Sequence, residues 1–134
     1  MRRIGLKLSV VMCLSTGLPA AAQQSISDIG EVREGLIAVG IAYEISEVCS
    51  AIDARVLRGV TYLNQLRGIA RDRGFSRDEV EAYIDDRAER DRLEGVVRRR
   101  LAAMGAVPGD AASHCAVGRQ EIAQGTVIGH FLRQ

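Results

Sequence analysis

The segment that decides the fold reads Gly40-Ile41-Ala42-Tyr43-Glu44-Ile45-Ser46-Glu47-Val48-Cys49. Its apolar residues continue a pattern that begins before it and repeats at steps of three and four residues, the period of a helix with one buried face. Gly35 and Gly40 lie within this pattern and indicate close approach of another helix rather than a break. We therefore predict a central helix whose wide buried face has two adjoining stripes: Ile29, Val32, Leu36, Val39 and Tyr43, and then Ile37, Ile41, Ile45 and Val48.

Cys49 ends this predicted helix, and Cys115 is the one other cysteine beyond residue 22. In an exported protein, two such cysteines favour a disulfide, here between the first and the last predicted helix. The bond would close a loop of 66 residues and contribute about 4 kcal/mol in the chain-entropy model. A metal or redox site is the alternative, but the Cys-x-x-Cys spacing typical of such sites is absent.

The first 22 residues have the layout of a secretory signal peptide. Three basic residues come first, an apolar run follows over residues 8–18, and small residues at positions 19–22 allow cleavage. A run of about eleven apolar residues is too short to cross a hydrocarbon core of ~30 Å. The sequence therefore predicts a cleaved signal peptide over residues 1–22, a single domain over residues 23–134, a periplasmic location and no membrane span after cleavage.

The composition argues against several classes of partner. Without the first 22 residues, 15 arginines stand against 17 acidic residues, which gives a net charge of −2. A slightly acidic chain has no general attraction for nucleic acid or anionic lipid. The sequence has no tryptophan and few other aromatic residues, so we expect a mainly aliphatic core.

Three further helices are predicted after the central one. The second runs from about residue 53 to 73, the third from about 77 to 104 and the fourth from about 111 to 132. Ser76 and Glu79 form a capping box at the start of the third helix. No alternating strand pattern bounded by turn residues is present. The predicted fold class is therefore all-α, a small four-helix bundle stapled by one disulfide.

The second helix presents an apolar stripe, and its arginines lie largely off that stripe. Such a stripe is typical of the side of a helix that faces the core. Its members are Val56, Leu57, Val60, Leu63, Leu66 and Ile69.

Charged side chains dominate residues 85–92, where opposite signs recur at spacings of one helical turn. This pattern is typical of a solvated helix face with mutual ion pairs. A calcium loop would need a central glycine, which this run lacks. Further along, Arg98, Arg99 and Arg100 form a basic cluster that is too small for a nucleic-acid interface without interleaved aromatic residues. They remain candidates for docking an acidic partner.

The last helix carries the remaining candidate residues. Glycines along one flank, among them Gly118, have no side chains and so permit tight helix packing. The same flank, together with Arg119 and Glu121, is a candidate contact surface. An enzyme would have to use Arg119 and Glu121 together with His114 or His130. Residues spaced this loosely occur in most soluble helices, so the sequence does not predict a catalytic residue.

Four groups of residues match a family pattern, and they read Cys49 with Ile52-Asp53-Ala54-Arg55, Gly74-Phe75-Ser76 with Glu79-Val80-Glu81-Ala82-Tyr83, His114-Cys115-Ala116-Val117-Gly118-Arg119-Gln120-Glu121-Ile122, and Ile128-Gly129 with Leu132-Arg133. Together they resemble a small family of exported alphaproteobacterial proteins, the domain-of-unknown-function family 5333. The resemblance spans about residues 28–133. It implies a periplasmic helical protein with a paired cysteine, and it transfers no activity and no catalytic residue.

We expect a protein-interaction or accessory subunit module whose partner is another periplasmic or membrane-associated protein, and not nucleic acid. The apolar ends of the third helix are a further candidate contact surface. Binding of a small molecule in an apolar pocket between helices is the alternative, and an enzyme is the least favoured hypothesis. We expect no cofactor and no metal, and both monomer and dimer stay open.

Overall fold

The computed structural model describes residues 23–134, so the predicted signal peptide lies outside the described residues. The described chain is mostly helical, which confirms the predicted helical class. None of its helices has both the length and the hydrophobicity needed to span a bilayer. A short 3-10 helix (Ile26–Asp28) comes first, followed by α1 (Gly30–Val48), β1 (Asp53–Ala54), α2 (Val56–Asp72), α3 (Arg77–Asp85), α4 (Arg87–Ala103), α5 (Ala111–Gln124), α6 (Val127–His130) and β2 (Leu132–Arg133).

The described residues form six α-helices instead of the predicted four, because the third and fourth predicted helices are each interrupted. Asp86 has an extended backbone (φ −68°, ψ 110°), and its carboxylate accepts the N–H of Glu89 to start α4. Gly125 ends α5 in the left-handed region at φ +62°, and Thr126 then caps α6 by accepting the N–H of Gly129. Both breaks have a local cause, since aspartate and threonine side chains compete with the backbone for helical N–H groups.

Two short strands connect distant parts of the chain. β1 and β2 pair in antiparallel fashion, with Asp53 opposite Arg133. The N–H of Arg55 donates to the carbonyl oxygen of Phe131 at 2.7 Å. As a result α2 begins at Val56 rather than near residue 53, and the expectation that the chain has no strands is wrong. Each strand has two residues, too few for an alternating pattern to show in the sequence.

α1 is the central helix, as predicted. Ile37, Ile41 and Ile45 are each at most 2% exposed, and α1 contacts α2, α4, α5 and α6. Gly35 packs against side chains of α2 and Gly40 against a side chain of α4, which confirms the predicted close approach. The core cluster around α1 comprises Ile37, Ile41, Ala42, Ile45, Cys49, Ile52, Val97, Leu101, Ala106, Val117, Phe131 and Leu132.

A disulfide joins Cys49, at the end of α1, to Cys115 in α5. The two Cα atoms are 5.2 Å apart, and Cys49 is fully buried. The predicted pairing is therefore confirmed. The bond holds the end of the central helix against α5, which leads on to α6 and to the strand that pairs with β1.

The predicted capping box at the start of α3 is also confirmed. The Ser76 hydroxyl accepts the N–H of Glu79 at 3.2 Å, and the Glu79 carboxylate accepts the N–H of Ser76 at 2.6 Å. Each side chain thus satisfies a backbone donor that has no partner inside the helix.

We expect Ser76→Ala to lower the free energy of unfolding by about 1 kcal/mol, because the N–H of Glu79 loses its acceptor. Ser76→Asp can accept the same hydrogen bond and should stay close to the wild type. Urea denaturation followed by circular dichroism measures both changes. An alanine variant as stable as the aspartate variant would contradict the capping role.

Candidate functional site

The first two turns of α2 carry apolar side chains that the rest of the described chain leaves uncovered. Leu57 is 83% exposed, Val56 is 68% exposed and Val60 is 51% exposed. Helix geometry places residues three and four apart on one face, so these three side chains adjoin. Tyr43 of α1 is 59% exposed and lines a shallow pocket together with Val56. We call these four residues the α2 apolar surface.

The prediction that Val56, Leu57 and Val60 belong to a core-facing stripe is wrong, and so is the prediction that Tyr43 lies on the buried face of the central helix. Helix α2 buries Leu66 and Ala70, and both lie in its second half. The sequence does indicate that Leu57 is exposed, because the residues one and two turns further on the same face are Thr61 and Asn64. Because polar residues follow Leu57 on its own face, that face does not form a continuous apolar stripe that another element could bury.

The start of α2 is positively charged. Its first turn holds no acidic residue, so the partial positive charge of the helix N-terminus is not offset there. Arg55 donates through Nε to the carbonyl oxygen of Leu132 at 3.0 Å, and Arg58 donates to the carbonyl oxygen of His130 at 3.3 Å. Within residues 23–134 neither arginine forms an ion pair, although Asp53 nearby pairs with Arg133 at 3.4 Å.

The three arginines of the predicted basic cluster make different contacts. Arg100 binds Glu34 of α1 with two hydrogen bonds of 2.6 and 3.0 Å. The hydrogen bond from Arg100 also lowers the pKa of the Glu34 carboxyl below its ordinary value. Arg98 pairs with Glu94 one turn earlier at 3.1 Å, and Arg99 is exposed. Two of the three arginines therefore already have carboxylate partners within the chain.

The predicted contact residues of the last helix do not share a surface. A Cβ atom on Gly118 would lie 2.6 Å from the Cδ1 of Ile52 and 2.8 Å from the Cγ2 of Ile45, so this glycine permits tight packing in the core. Glu121 is buried and accepts a hydrogen bond from the Thr126 hydroxyl. Arg119 is exposed. The predicted tight packing is confirmed, but the expectation that this flank is an open contact surface is wrong for Gly118 and Glu121.

The residues of the enzyme hypothesis are likewise not brought together. His114 is buried, and its Nδ1 lies 2.8 Å from the carbonyl oxygen of Asp110, at the start of α5. Glu121 lies two helical turns further along, about 10 Å at 1.5 Å per residue. His130 is exposed and packs edge-on against Phe131, with ring centroids 5.5 Å apart. Among the described residues, no group of three or more His, Cys, Asp or Glu side chains is placed to hold a metal ion.

Comparisons with known proteins agree with the family resemblance. Neither the search of curated proteins nor the search of solved structures found a match to this chain. The model of one family, described as a family of unknown function (DUF5333), matches residues 24–133. This range covers most of the sequence, including both cysteines of the disulfide, the whole of α2 and the β1–β2 pair. The chain therefore belongs to the family of unknown function DUF5333.

Proposed function

We propose that this protein is a periplasmic accessory module that binds another protein through the α2 apolar surface. The observation that supports the proposal is the exposure of Leu57, at 83%, beside three further exposed apolar side chains. Single exposed apolar residues are common on soluble proteins, whereas an adjoining group of them is typical of an interaction site. The periplasmic location rests on the predicted signal peptide.

The charge around this surface indicates what the partner would present. Arg55 and Arg58 lack carboxylate partners within the described residues, and the N-terminus of α2 adds partial positive charge. We infer a partner that offers an apolar helix or loop with acidic residues at its edge. Leu57 and Tyr43 would be the central anchors, because large side chains at the middle of an interface contribute most of the binding energy.

The partner is identified by placing a photo-crosslinking amino acid at position 57 and, as a matched control, at position 107. Val107 is also an exposed apolar residue, at 56%, but it lies between α4 and α5. We expect one protein to be cross-linked from position 57 in intact cells and not from position 107. Equal cross-linking from both positions would contradict the proposal, and a cross-link only to a second copy of this chain would replace it with self-association.

Once the partner is known, Leu57→Asp is expected to weaken its binding by about 30-fold or more, the effect of losing a central anchor. Val107→Asp should leave the affinity unchanged. Arg58→Glu should weaken binding and reduce its dependence on salt concentration, because it removes a charge attraction. Isothermal titration calorimetry at two salt concentrations measures all three effects. A Leu57→Asp protein that binds like the wild type would contradict the assignment of this surface.

The predicted alternative, binding of a small molecule, is favoured by a separate observation. An apolar cavity lies between α1, α2, α3 and α4, beyond the turns of α2 that carry the α2 apolar surface. The two functions therefore use different parts of the same helix, and neither depends on the other.

A further inference from the structure

The cavity between the four helices has a volume of about 250 Å³. Its walls are mostly apolar, with Leu36 from α1, Leu66 and Ala70 from α2, Val80 from α3 and Leu93 from α4. For comparison, an apolar cavity of about 150 Å³ accepts a benzene molecule. By that ratio this cavity can take a hydrocarbon of about ten carbon atoms.

The acidic side chains at the edge of the cavity already have partners. The Glu89 carboxylate accepts a hydrogen bond from the Tyr83 hydroxyl at 2.8 Å and binds Arg92 through two nitrogen atoms. The hydrogen bond from Arg92 lowers the pKa of Glu89. Burial raises the pKa of Tyr83, so the phenol keeps its proton and continues to donate. The Asp86 carboxylate accepts the N–H at the start of α4.

The two arginines at the same edge are less engaged. Arg90 donates to the carbonyl oxygen of Ile84 at 3.3 Å and forms no ion pair within residues 23–134. Arg67 lies 3.9 Å from the carboxylate of Glu81, a long contact between two exposed groups. Glu89 is neutralised by Arg92, whereas Asp86 keeps its negative charge. Arg90 has no carboxylate partner within the described residues, so its guanidinium is available to an anion at the mouth of the cavity. The site thus combines an apolar interior with arginine side chains at its entrance.

We propose that this cavity binds a free fatty acid of about ten carbons, with its chain among the four helices and its carboxylate at Arg67 and Arg90. The chain would replace water on the aliphatic walls, and the carboxylate would stay near solvent at the entrance. A guanidinium group matches the planar geometry of a carboxylate, which makes the arginines suitable for this anion. The proposal does not rest on the α2 apolar surface, which lies near the other end of α2.

The test is a calorimetric titration of the disulfide-bonded protein with straight-chain fatty acids of six to fourteen carbons. Affinity for the protein should rise about fourfold with each methylene that becomes buried. It should stop rising at about ten carbons, where the cavity is full. Decanol, which has the same chain without the charge, should bind at least fivefold more weakly than decanoate.

Two pairs of variants assign the binding to this cavity. Leu63→Trp should fill it and abolish decanoate binding; Leu63 lines the cavity but belongs to neither cluster of the core. Leu57→Trp makes the same change on the exposed part of α2 and should keep wild-type affinity. Arg90→Gln should weaken decanoate binding about fivefold and leave decanol unchanged, whereas Arg99→Gln, on the same helix but outside the cavity, should have no effect.

Circular dichroism of the Leu63→Trp protein shows whether it is folded, and the arginine variants give an answer even if it is not. Absence of decanoate binding by the wild type would overturn the proposal. So would an affinity that keeps rising beyond about ten carbons, or equal binding of decanol and decanoate. Binding that survives both Leu63→Trp and Arg90→Gln would place the fatty acid elsewhere on the molecule and overturn it as well.

Discussion

Removing the disulfide, by Cys49→Ala together with Cys115→Ala, is expected to lower the free energy of unfolding by about 4 kcal/mol. The bond links residues separated by 66 positions, so its loss frees a long loop in the unfolded chain. Domains of this size are stable by only about 5–15 kcal/mol, and the variant would lose a large share of that. Alanine is chosen because Cys49 is fully buried, and burying a serine hydroxyl there would itself destabilise the protein.

Urea denaturation monitored by circular dichroism measures the effect, and the linear extrapolation gives the free energy in water. Wild-type protein treated with a reducing agent is the matched control, and its unfolding midpoint should approach that of the double variant. A loss below about 1 kcal/mol would show that the chain-entropy account fails for this protein. The helical content before unfolding should be retained, because the apolar core around α1 does not depend on the bond.

Gly129→Ala is expected to lower the free energy of unfolding by about 3 kcal/mol, the upper part of the range for overpacked sites. An added Cβ would overlap the carbonyl oxygen of Glu121 and would lie 2.5 Å from its carbonyl carbon and 2.8 Å from the nitrogen of Ile122. These are backbone atoms of α5, which cannot turn aside as a side chain can. The methyl group would therefore push α6 away and carry the buried Phe131 and Leu132 with it.

The matched control is Gly68→Ala, in the second half of α2, where an added Cβ meets nothing within 4 Å. That change should stabilise the protein by roughly 0.5–1 kcal/mol, the difference in helix propensity between alanine and glycine. Gly118→Ala should fall between the two, because the atoms it meets belong to the ends of the Ile45 and Ile52 side chains. Urea denaturation of the three variants gives the order. A Gly129→Ala protein as stable as the wild type would contradict the backbone contact between α5 and α6.

The features predicted correctly from the sequence are those that depend on neighbouring residues. The apolar period of α1, its end at Cys49 and the capping box of Ser76 and Glu79 need only the local chain. The helix breaks at Asp86 and Gly125 also have local causes, but each lies inside a longer helical pattern, and the pattern dominated the prediction. The pairing of Cys49 with Cys115 was predictable because the region beyond residue 22 contains just these two cysteines.

The candidate site was much harder to predict. The sequence pattern placed Leu57 on a core-facing stripe and Gly118 on a candidate contact surface. In the structure the two are reversed, because Leu57 is 83% exposed and Gly118 is buried against Ile45 and Ile52. An apolar stripe indicates that one side of a helix can be buried, but it does not indicate which turns another element will cover. The length of the neighbouring helices and the angle between them decide that.

By itself, then, the sequence determined the helical class, the central position of α1, the disulfide and the family, since these follow from local periodicity, capping and the two cysteines. Only the tertiary structure decided which surfaces stay available. The β1–β2 pair joins residues 53–54 to residues 132–133 just before α2 begins, and no described element covers Val56, Leu57 and Val60. Contacts between residues so far apart in the chain depend on the packing of every helix between them, which no local pattern records.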